Sequence, residues 1–276
     1  MAISNFIPTI WSENLYTELD KKYIAVANCN REFEGDIKNK GSVVKICGVG
    51  AINVSDYTKN TDMSAPQQLS DTVKELTIDQ AKYFNFQIDD IDRAQSSPKL
   101  MSSAMKIAAS ALANEADKYI FNLYEQAGKT INAGEATDEL LIKYFIDAIT
   151  VLRKNNVTDD NDIVIEISPE VAGILLNAKI KLSSDGDVLE TGCIGKIAGC
   201  RIFVSNNIFF ADGGDNHVFY CYVRTKRAIA FAEQLSEIEA YRPEKRFSDA
   251  VKGLHLYGAK VVYPQELVTL KIVVLR

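Results

Sequence analysis

The chain has 276 residues, of which 47% are hydrophobic and 25% charged, and these proportions are typical of a globular protein that folds throughout. Its 31 lysines and arginines against 37 acidic residues give a net charge of -6, which excludes a broad basic surface for gripping nucleic acid. Five scattered cysteines cannot form a disulfide framework, so we expect a reducing cytoplasm.

The first forty residues predict an arm more than a core element. An amphipathic stretch around Trp11, Leu15 and Leu19 precedes a long polar passage. The beginning of the chain lacks a basic region and is broken by Pro8, so we expect no signal peptide. No apolar run approaches the length of a membrane span. We therefore expect a product that stays in the cytoplasm unless lysis releases it.

The next segment predicts a long hairpin. The short apolar runs of VVKICGVGAINV lead to a polar tip, DYTKNTDMSAPQQLSD, and the chain then returns with apolar residues at every second position. This alternation, at Leu76 and Ile78 and again at Phe84, Phe86 and Ile88, is typical of half-buried strands. Two such runs joined across a tip rich in Asn, Asp, Ser and Pro indicate a hairpin.

The clearest predicted helix follows directly. Ser97 and Pro98 form a cap and first-turn pair, residues 99–127 contain no glycine or proline, and Gly128 supplies the stop. Seven apolar residues, from Met101 to Leu123, step by threes and fours along one side. At roughly 45 Å, such a helix must be a spine on which other elements pack.

The rest of the chain mixes helices with many strands. We predict a second helix from Asp138 to Asn155, a buried strand at IVIEI, and a third helix from Ser168-Pro169 to about Asn177. Six β-rich runs follow: RIFVS, VFYCYV, AIAFAE, IEAYR, LHLYGAKVVY and LVTLKIVV. The predicted fold class is therefore α+β.

Two glycine-bearing stretches resemble phosphate loops without meeting their requirements. In TGCIGKIAGC, the glycines 192, 195 and 199 miss the dinucleotide spacing and precede a strand instead of a helix. We therefore favour a glycine-turned hairpin. AGKT, residues 127–130, ends like a Walker A motif, but its first glycine would fall at Leu123 inside a helix. We interpret it as a helix stop followed by a loop.

The sequence predicts no metal site and no catalytic triad. Cys193, Cys200, His217 and Cys221 have spacings that do not suit zinc, so we interpret the cysteines as small buried residues. The chain has two histidines, and we expect His255, in an apolar alternation, to be a core or interface residue. No G-x-S-x-G elbow occurs.

One acidic cluster leaves two interpretations open. Asp89, Asp90 and Asp92 could serve as acid and base or surround a cation. We favour aspartates that end a strand and open a short helix. With no assembled chemistry, a hairpin and an arm that cannot bury their apolar residues alone indicate self-association.

Four stretches in succession resemble a known family: GSVVKI at 41–46, ELTIDQAKYFNFQIDDIDRAQS at 75–96, TGCIGKIAGCRIFVSNNI at 191–208 and RFSDAVKGLHLYGAKVVYPQELV at 246–268. Together they resemble the major capsid, or coat, proteins of tailed DNA phages. These have the Hong Kong 97-type shell fold, and the resemblance is to the podophage coat-like branch.

The resemblance implies an α+β fold with four parts. These are an N-terminal arm at 1–42, an extended β-hairpin or E-loop at 43–88, a P-domain at 89–132 with 227–264, and a central A-domain at 133–226 with 265–276. The spine helix of the P-domain would cover about 98–127.

The implied function is a structural protein of the virion, not an enzyme, with neither cofactor nor metal. Copies would self-assemble as hexameric and pentameric capsomers into an icosahedral shell around double-stranded DNA, without sequence-specific contact and without a membrane. Scaffolding, portal and decoration proteins are further implied partners, with assembly in the host cytoplasm. The alternatives are an encapsulin-like bacterial compartment and a small cytoplasmic enzyme using the Asp89–Asp92 cluster or the cysteines.

Overall fold

The described part of the chain contains three β-sheets and three α-helices whose bounds are defined at both ends. The computed structural model describes residues 15–33, 41–49, 71–89, 100–177, 193–213, 216–245 and 247–275, apart from positions 16, 21, 136, 158 and 160, and also residues 56, 59 and 62. The helices are α1 (Leu100–Phe121), α2 (Asp138–Lys154) and α3 (Pro169–Asn177). The strands are β1 (Val43–Val49), β2 (Asp71–Thr77), β3 (Gln80–Asp89), β4 (Lys129–Glu135), β5 (Ile163–Ile167), β6 (Cys193–Ile197), β7 (Cys200–Val204), β8 (Phe210–Asp212), β9 (Asn216–Thr225), β10 (Ile229–Tyr241), β11 (Ser248–Val261) and β12 (Leu267–Leu275). This mixture confirms the predicted α+β class.

The predicted hairpin exists but is shorter than expected. β1 and β2 pair antiparallel from Val43 opposite Thr77 to Val49 opposite Asp71, and they form a two-stranded sheet of their own. The expected continuation of the return strand to residue 88 was wrong, because β3 pairs with β11 in another sheet. Alternating apolar residues report one buried face and do not reveal which sheet a strand joins. Most of the predicted tip lies outside the described residues.

The second sheet has three antiparallel strands in the order β10–β11–β3. The runs AIAFAE and IEAYR, predicted as separate strands, form the single strand β10 with a register shift between Leu235 and Glu237. Phe84 and Phe86 of β3 pack against the core cluster that holds the buried face of α1. The long helix is therefore the spine that its sequence predicted.

The spine helix changes from an α-helix to a 3-10 helix before it ends. α1 ends at Phe121 and continues as a 3-10 helix, Asn122–Gln126. Gly128 follows, and its N–H donates to the carbonyl of Pro264 at 2.8 Å. A Cβ at this glycine would lie 2.4 Å from that same oxygen. Gly128 is thus required by a close backbone approach, whereas the sequence had suggested only a helix cap.

The third sheet has seven strands, in the order β4–β12–β9–β5–β7–β6 with β8 beside β9. Side chains of α2 and α3 pack with its strands in one apolar cluster. After the helix stop in AGKT we expected a loop, but residues 129–135 form β4 and pair parallel with β12. The sequence KTINAGE lacks the alternation of apolar and polar residues that predicts a strand. It forms a strand because it lies beside the buried strand β12.

The glycine-rich stretch is a hairpin in its described part, residues 193–200. β6 and β7 pair antiparallel across a turn at Ala198 and Gly199. Both turn residues have positive φ, 51° and 90°, as a type I′ hairpin turn requires. The hairpin interpretation is confirmed there, while Gly192 lies outside the described residues.

Gly258 offers a test of how closely the β1–β2 hairpin, which we call the ribbon, packs on β11. A Cβ at this position of β11 would lie 2.3 Å from the carbonyl oxygen of Thr77. We expect Gly258→Ala to lower the free energy of unfolding by about 1–3 kcal/mol, measured by urea denaturation. Gly173→Ala, where an added Cβ meets nothing within 4 Å, is the control and should stabilise by roughly 0.5–1 kcal/mol because helical glycine is unfavourable. Equal effects would contradict the close approach at Thr77.

Candidate functional site

The N-terminal segment, residues 15–33, is built into the body of the subunit. Leu15, Leu19, Tyr23 and Val26 are buried in one cluster with the inner face of α1 and residues of both larger sheets. Its far end joins β10, where Asn30 exchanges backbone hydrogen bonds with Ile229 and Phe231. The polar groups of residues 23–31 contact five buried polar side chains from the rest of the subunit: Asp117, Glu166, Arg224, Glu233 and His255. We call these groups together the polar junction.

Asp117 of α1 holds the start of a short turn within this segment. Its carboxylate accepts the N–H groups of Ile24 (3.0 Å), Ala25 (3.0 Å) and Val26 (3.1 Å). The 3-10 turn Val26–Asn28 begins at this point. The amides at the start of a helical turn have no partner within the turn, and a carboxylate satisfies both their hydrogen bonds and their partial positive charge.

Arg224 of β9 holds the end of the same turn. It donates to the carbonyl oxygens of Asn28 (2.6 Å) and Ala25 (3.0 Å). Its Nε and Nη2 also donate to Glu166 of β5, at 2.9 and 2.8 Å. Both side chains are fully buried. The turn therefore lies between a buried acid at its beginning and a buried base at its end.

The sheet register explains why Glu166 and Arg224 meet. Glu166 lies opposite Tyr222 in the antiparallel pair of β5 and β9, and Arg224 is two residues further along β9. Residues two apart in a strand project from the same face. Their neighbours Ile165 and Val223 face the apolar cluster on the other side. The acid and the base thus share the face that covers the N-terminal segment.

A third carboxylate, Glu233 of β10, binds the segment on the side of the three-stranded sheet. It accepts the hydroxyl of Tyr23, a guanidinium N–H of Arg31 at 2.7 Å, and a contact from Nε2 of His255 at 2.8 Å. Arg31 also reaches Asp20 at 2.8 Å. Glu233 and His255 are buried, whereas Arg31 is partly exposed.

Burial shifts the titration of several groups in the junction. It raises the pKa of Asp117 to about 7, against the opposing effect of its three N–H donors. It also raises the pKa of Glu166, which Arg224 opposes. Burial and the nearby Glu233 raise the pKa of Tyr23, and burial raises that of Cys29 to about 12. The phenol and the thiol are therefore neutral at physiological pH.

The arrangement suits a mechanical role. The carboxylates and guanidinium groups of the junction are occupied by protein partners, and a buried charge that is already paired does not need a ligand. The junction ties one chain segment to a helix and to two sheets. It thereby fixes residues 23–31 on the body of the subunit.

Of the residues singled out in the sequence, Asp90, Asp92 and the side chain of Cys193 lie outside the described part of the structure, and the others lie apart from the polar junction except His255. Asp89 is an exposed residue at the end of β3, as a strand-terminating aspartate would be. Cys200 and Cys221 are buried, as we expected of small apolar residues. His217 faces Asp212 at 3.6 Å. Over the described ranges, no group of three or more His, Cys, Asp or Glu side chains could hold a metal ion.

His255 is fully buried, so its interpretation as a core histidine is confirmed, although its partner was not foreseen. The residues that the sequence reasoning missed are Asp117, Glu166 and Arg224. Each had a local signal, because each is a charge within an apolar pattern. Glu166 interrupts IVIEI, Arg224 ends VFYCYVR, and Asp117 lies beside Ala116 in the helical stripe.

Large apolar side chains are exposed on several elements. Phe247 is 84% exposed, Tyr83 78%, Ile107 71% and Leu176 59%. Single exposed apolar residues are common, but such large ones on a chain with a buried core elsewhere suit contacts between subunits. Within the described residues, no helix has the length and apolar character needed to cross a membrane.

Comparison with known proteins gives consistent matches. A model of the family described as phage capsid protein matches residues 72–270. A solved structure of Mycobacterium phage Che8 is 32% identical, with 90% of each chain covered and a TM-score of 0.67. The capsid of Ralstonia phage GP4 has a TM-score of 0.70 at 10% identity, covering 93% of this chain and 90% of that one. The capsid of the cyanophage P-SCSP1u has a TM-score of 0.64 at 18% identity, covering 88% and 86%. No curated protein matches the sequence.

Proposed function

The chain belongs to the phage capsid protein family, and we propose that its β1–β2 ribbon is the element with which each subunit holds its neighbour. The protein is a major capsid protein, a structural component of the virion that assembles with copies of itself to form the shell. The ribbon and the junction are the two described features that bear on how it does so.

The way the ribbon is attached carries this proposal. At its base, Val44, Ile46, Leu76 and Ile78 are buried against Ala230, Ala232, Leu256 and Val262 of the subunit body. Above the base, β1 and β2 pair only with each other among the described strands. An isolated two-stranded ribbon is marginally stable in water. Contact with a second subunit would stabilise it, and Val73, 48% exposed, supplies apolar surface for that contact.

The division into parts follows the same proposal. Residues 1–42 would form the arm, 43–88 the E-loop, 89–132 with 227–264 the P-domain, and 133–226 with 265–276 the A-domain. Of the E-loop range, β1 and β2 form the ribbon, whereas β3 pairs with β11 and so lies with the P-domain strands. The burial of residues 15–33 supports an arm that is attached to its own subunit. The apolar cluster of α2, α3 and the seven-stranded sheet is separate from the cluster that holds α1, which supports two domains.

We further propose an icosahedral shell of hexameric and pentameric capsomers around double-stranded DNA, assembled in the host cytoplasm. Scaffolding, portal and decoration proteins would be its other partners. The net charge of -6 supports a wall that encloses DNA without gripping it. The carboxylates and guanidinium groups of the polar junction all have protein partners, which supports a structural protein without catalytic activity.

Shortening the ribbon tests this role. Replacing residues 48–72 with Asn-Gly would join Cys47 to Val73, which are partners in the ribbon register, through a two-residue turn that suits hairpins. We expect the variant to keep the unfolding transition of the wild type, because the buried base is retained. We expect it to lose particle formation in negative-stain microscopy and sedimentation.

Two outcomes would contradict the proposal. Shortened chains that still close into particles of wild-type size would remove the ribbon from the assembly mechanism. A wild-type chain that stays monomeric under every condition would oppose the shell itself.

The contents of the particles distinguish a viral shell from a bacterial compartment. Particles from infected cells should contain nuclease-protected DNA if the shell is viral, whereas a bacterial compartment would hold protein cargo.

A further inference from the structure

The base of the ribbon is fixed to the body of the subunit. β2 is joined to β3 by two residues, Ile78 and Asp79. The hydroxyl of Tyr119 on α1 donates to both carboxylate oxygens of Asp79, at 2.9 and 3.1 Å. Next to this link, Thr77 approaches the backbone of Gly258 closely. A ribbon held only at its base can still swing, so its direction requires a second point of attachment.

A groove separates the ribbon from the body beyond this base. Its volume is about 710 Å³, and it is lined from β2 by Val73, Glu75 and Thr77 and from the body by Gln126, Lys260 and Pro264. Because protein interiors are close-packed, an open space of this size means that apolar packing does not hold the ribbon at this level. A side chain that spans the space is needed to hold it there.

Lys74 supplies such a contact. It lies two residues from Leu76 and opposite Ile46, so it shares the inner face of the ribbon with buried apolar residues. Its ammonium group donates to the carbonyl oxygen of Val262 and lies 5.7 Å from the centre of the Tyr263 ring. A cation at this distance is attracted to the ring, and a hydrogen bond from a charged donor is stronger than one from a neutral donor.

The part of the body that Lys74 reaches is itself fixed. The N–H groups of Val262 and Tyr263 donate to the carbonyl oxygen of Ala228, at 2.8 and 3.2 Å. Arg227 lies 5.6 Å from the centre of the Tyr263 ring and donates to Glu266 at 2.7 and 2.6 Å. The connection between β11 and β12 is thus bound to the turn between β9 and β10, and it does not depend on the ribbon for its position.

We propose that Lys74 is a positioning residue: its bond to Val262 and its contact with Tyr263 set the direction in which the ribbon leaves the subunit. Lys74 lies about 13 Å along the strand from Ile78 at the base, and two points at this separation define an angle. The inference rests on the role proposed above for the ribbon. A ribbon that already has its direction loses less freedom when it binds a neighbour.

A lysine in an edge strand can have another purpose, which is to discourage pairing with other chains. That purpose is served by a charge in water. Lys45, on the opposite face of the ribbon, is exposed, whereas Lys74 is partly buried and bonded to a carbonyl oxygen. The contacts of Lys74 therefore favour positioning.

Distance measurements on the unassembled full-length subunit test this role. Spin labels on non-natural amino acids at positions 45 on the ribbon and 118 on α1, both exposed, report the distances between ribbon and body by double electron–electron resonance. We expect one narrow distribution in the wild type. In Lys74→Met, which keeps an apolar stem, the ratio of held to displaced ribbons should fall about tenfold, as the loss of a hydrogen bond from a charged group implies.

Two further variants are the controls. Lys260→Met removes a charge from the body side of the same groove and should leave the distances unchanged. Lys74→Arg keeps a cation with N–H donors and should restore the narrow distribution. An unchanged distribution in Lys74→Met, or equal broadening in Lys260→Met, would overturn the proposal. Aggregation of Lys74→Met without broadening would do the same, because it would assign the lysine to the edge-strand purpose.

The rate of assembly is the second readout. We expect Lys74→Met to form particles more slowly than the wild type, as followed by light scattering. Displaced ribbons that assemble at the wild-type rate would contradict the positioning role. A wild type that does not assemble would instead contradict the function proposed for the ribbon, and the distances in unassembled subunits would still test the contact made by Lys74.

Discussion

Replacing Arg224 with methionine is expected to lower the free energy of unfolding by about 3–5 kcal/mol, because it leaves a buried charge without its partner. Glu166 is fully buried and bonded to this guanidinium by two hydrogen bonds. The carbonyl oxygens of Ala25 and Asn28 would each lose one hydrogen-bond donor at the same time. Urea denaturation of the unassembled subunit, followed by circular dichroism, would measure the loss.

A matched arginine provides the control. Arg242 is 61% exposed and lies 3.6 Å from Asp249, and an exposed ion pair contributes about 0–1 kcal/mol. Arg242→Met should therefore be nearly neutral. The double variant Glu166→Gln, Arg224→Met should recover part of the loss, since the uncompensated charge is gone. An Arg224→Met variant as mild as Arg242→Met would show that the buried pair does not hold the segment.

Truncating Leu19 to alanine is expected to cost about 2–5 kcal/mol, as for other fully buried leucines. Leu19 is 0% exposed and shares a cluster with Leu112 and Ala113 of α1. Such a loss would establish that the N-terminal segment is part of the subunit core. Thermal or urea unfolding of the unassembled protein would measure it.

Leu176 of α3 is the control for the same chemical change. It is 59% exposed, and surface substitutions usually stay within about 0.5 kcal/mol. Equal effects of Leu19→Ala and Leu176→Ala would mean that the segment is only loosely attached. The two leucine variants also separate folding from assembly, because an effect confined to particle yield would implicate a contact between subunits.

Local patterns predicted most of the elements. The periodicity of α1 and α2, the buried run of β5 and the hairpin of β6 and β7 all follow from side-chain spacing and turn residues within a few positions. The errors share a cause. Local alternation assigns β3 to the ribbon and gives no strand at β4, because the partner of a strand is determined by distant segments.

The polar junction could not be predicted from local patterns either, because its partners are also far apart in the sequence. A charge in the middle of IVIEI signals an unusual strand, but its partner Arg224 is 58 positions away. Asp117 lies 91 to 93 positions from the amides that it holds. The segment from Leu15 to Leu19 was predicted to belong to an arm, since an amphipathic pattern does not tell whether its apolar face meets its own subunit or another.

Local sequence is sufficient to predict most stretches that become helix or strand, because backbone sterics and side-chain spacing act between near neighbours. It also carried the resemblance from which the capsid function was inferred. The three-dimensional fold was needed to learn which strands pair, which charges are buried together and where the N-terminal segment is attached. Those outcomes depend on desolvation and on hydrogen bonds between groups up to 210 positions apart, such as Tyr23 and Glu233, and no local pattern encodes them.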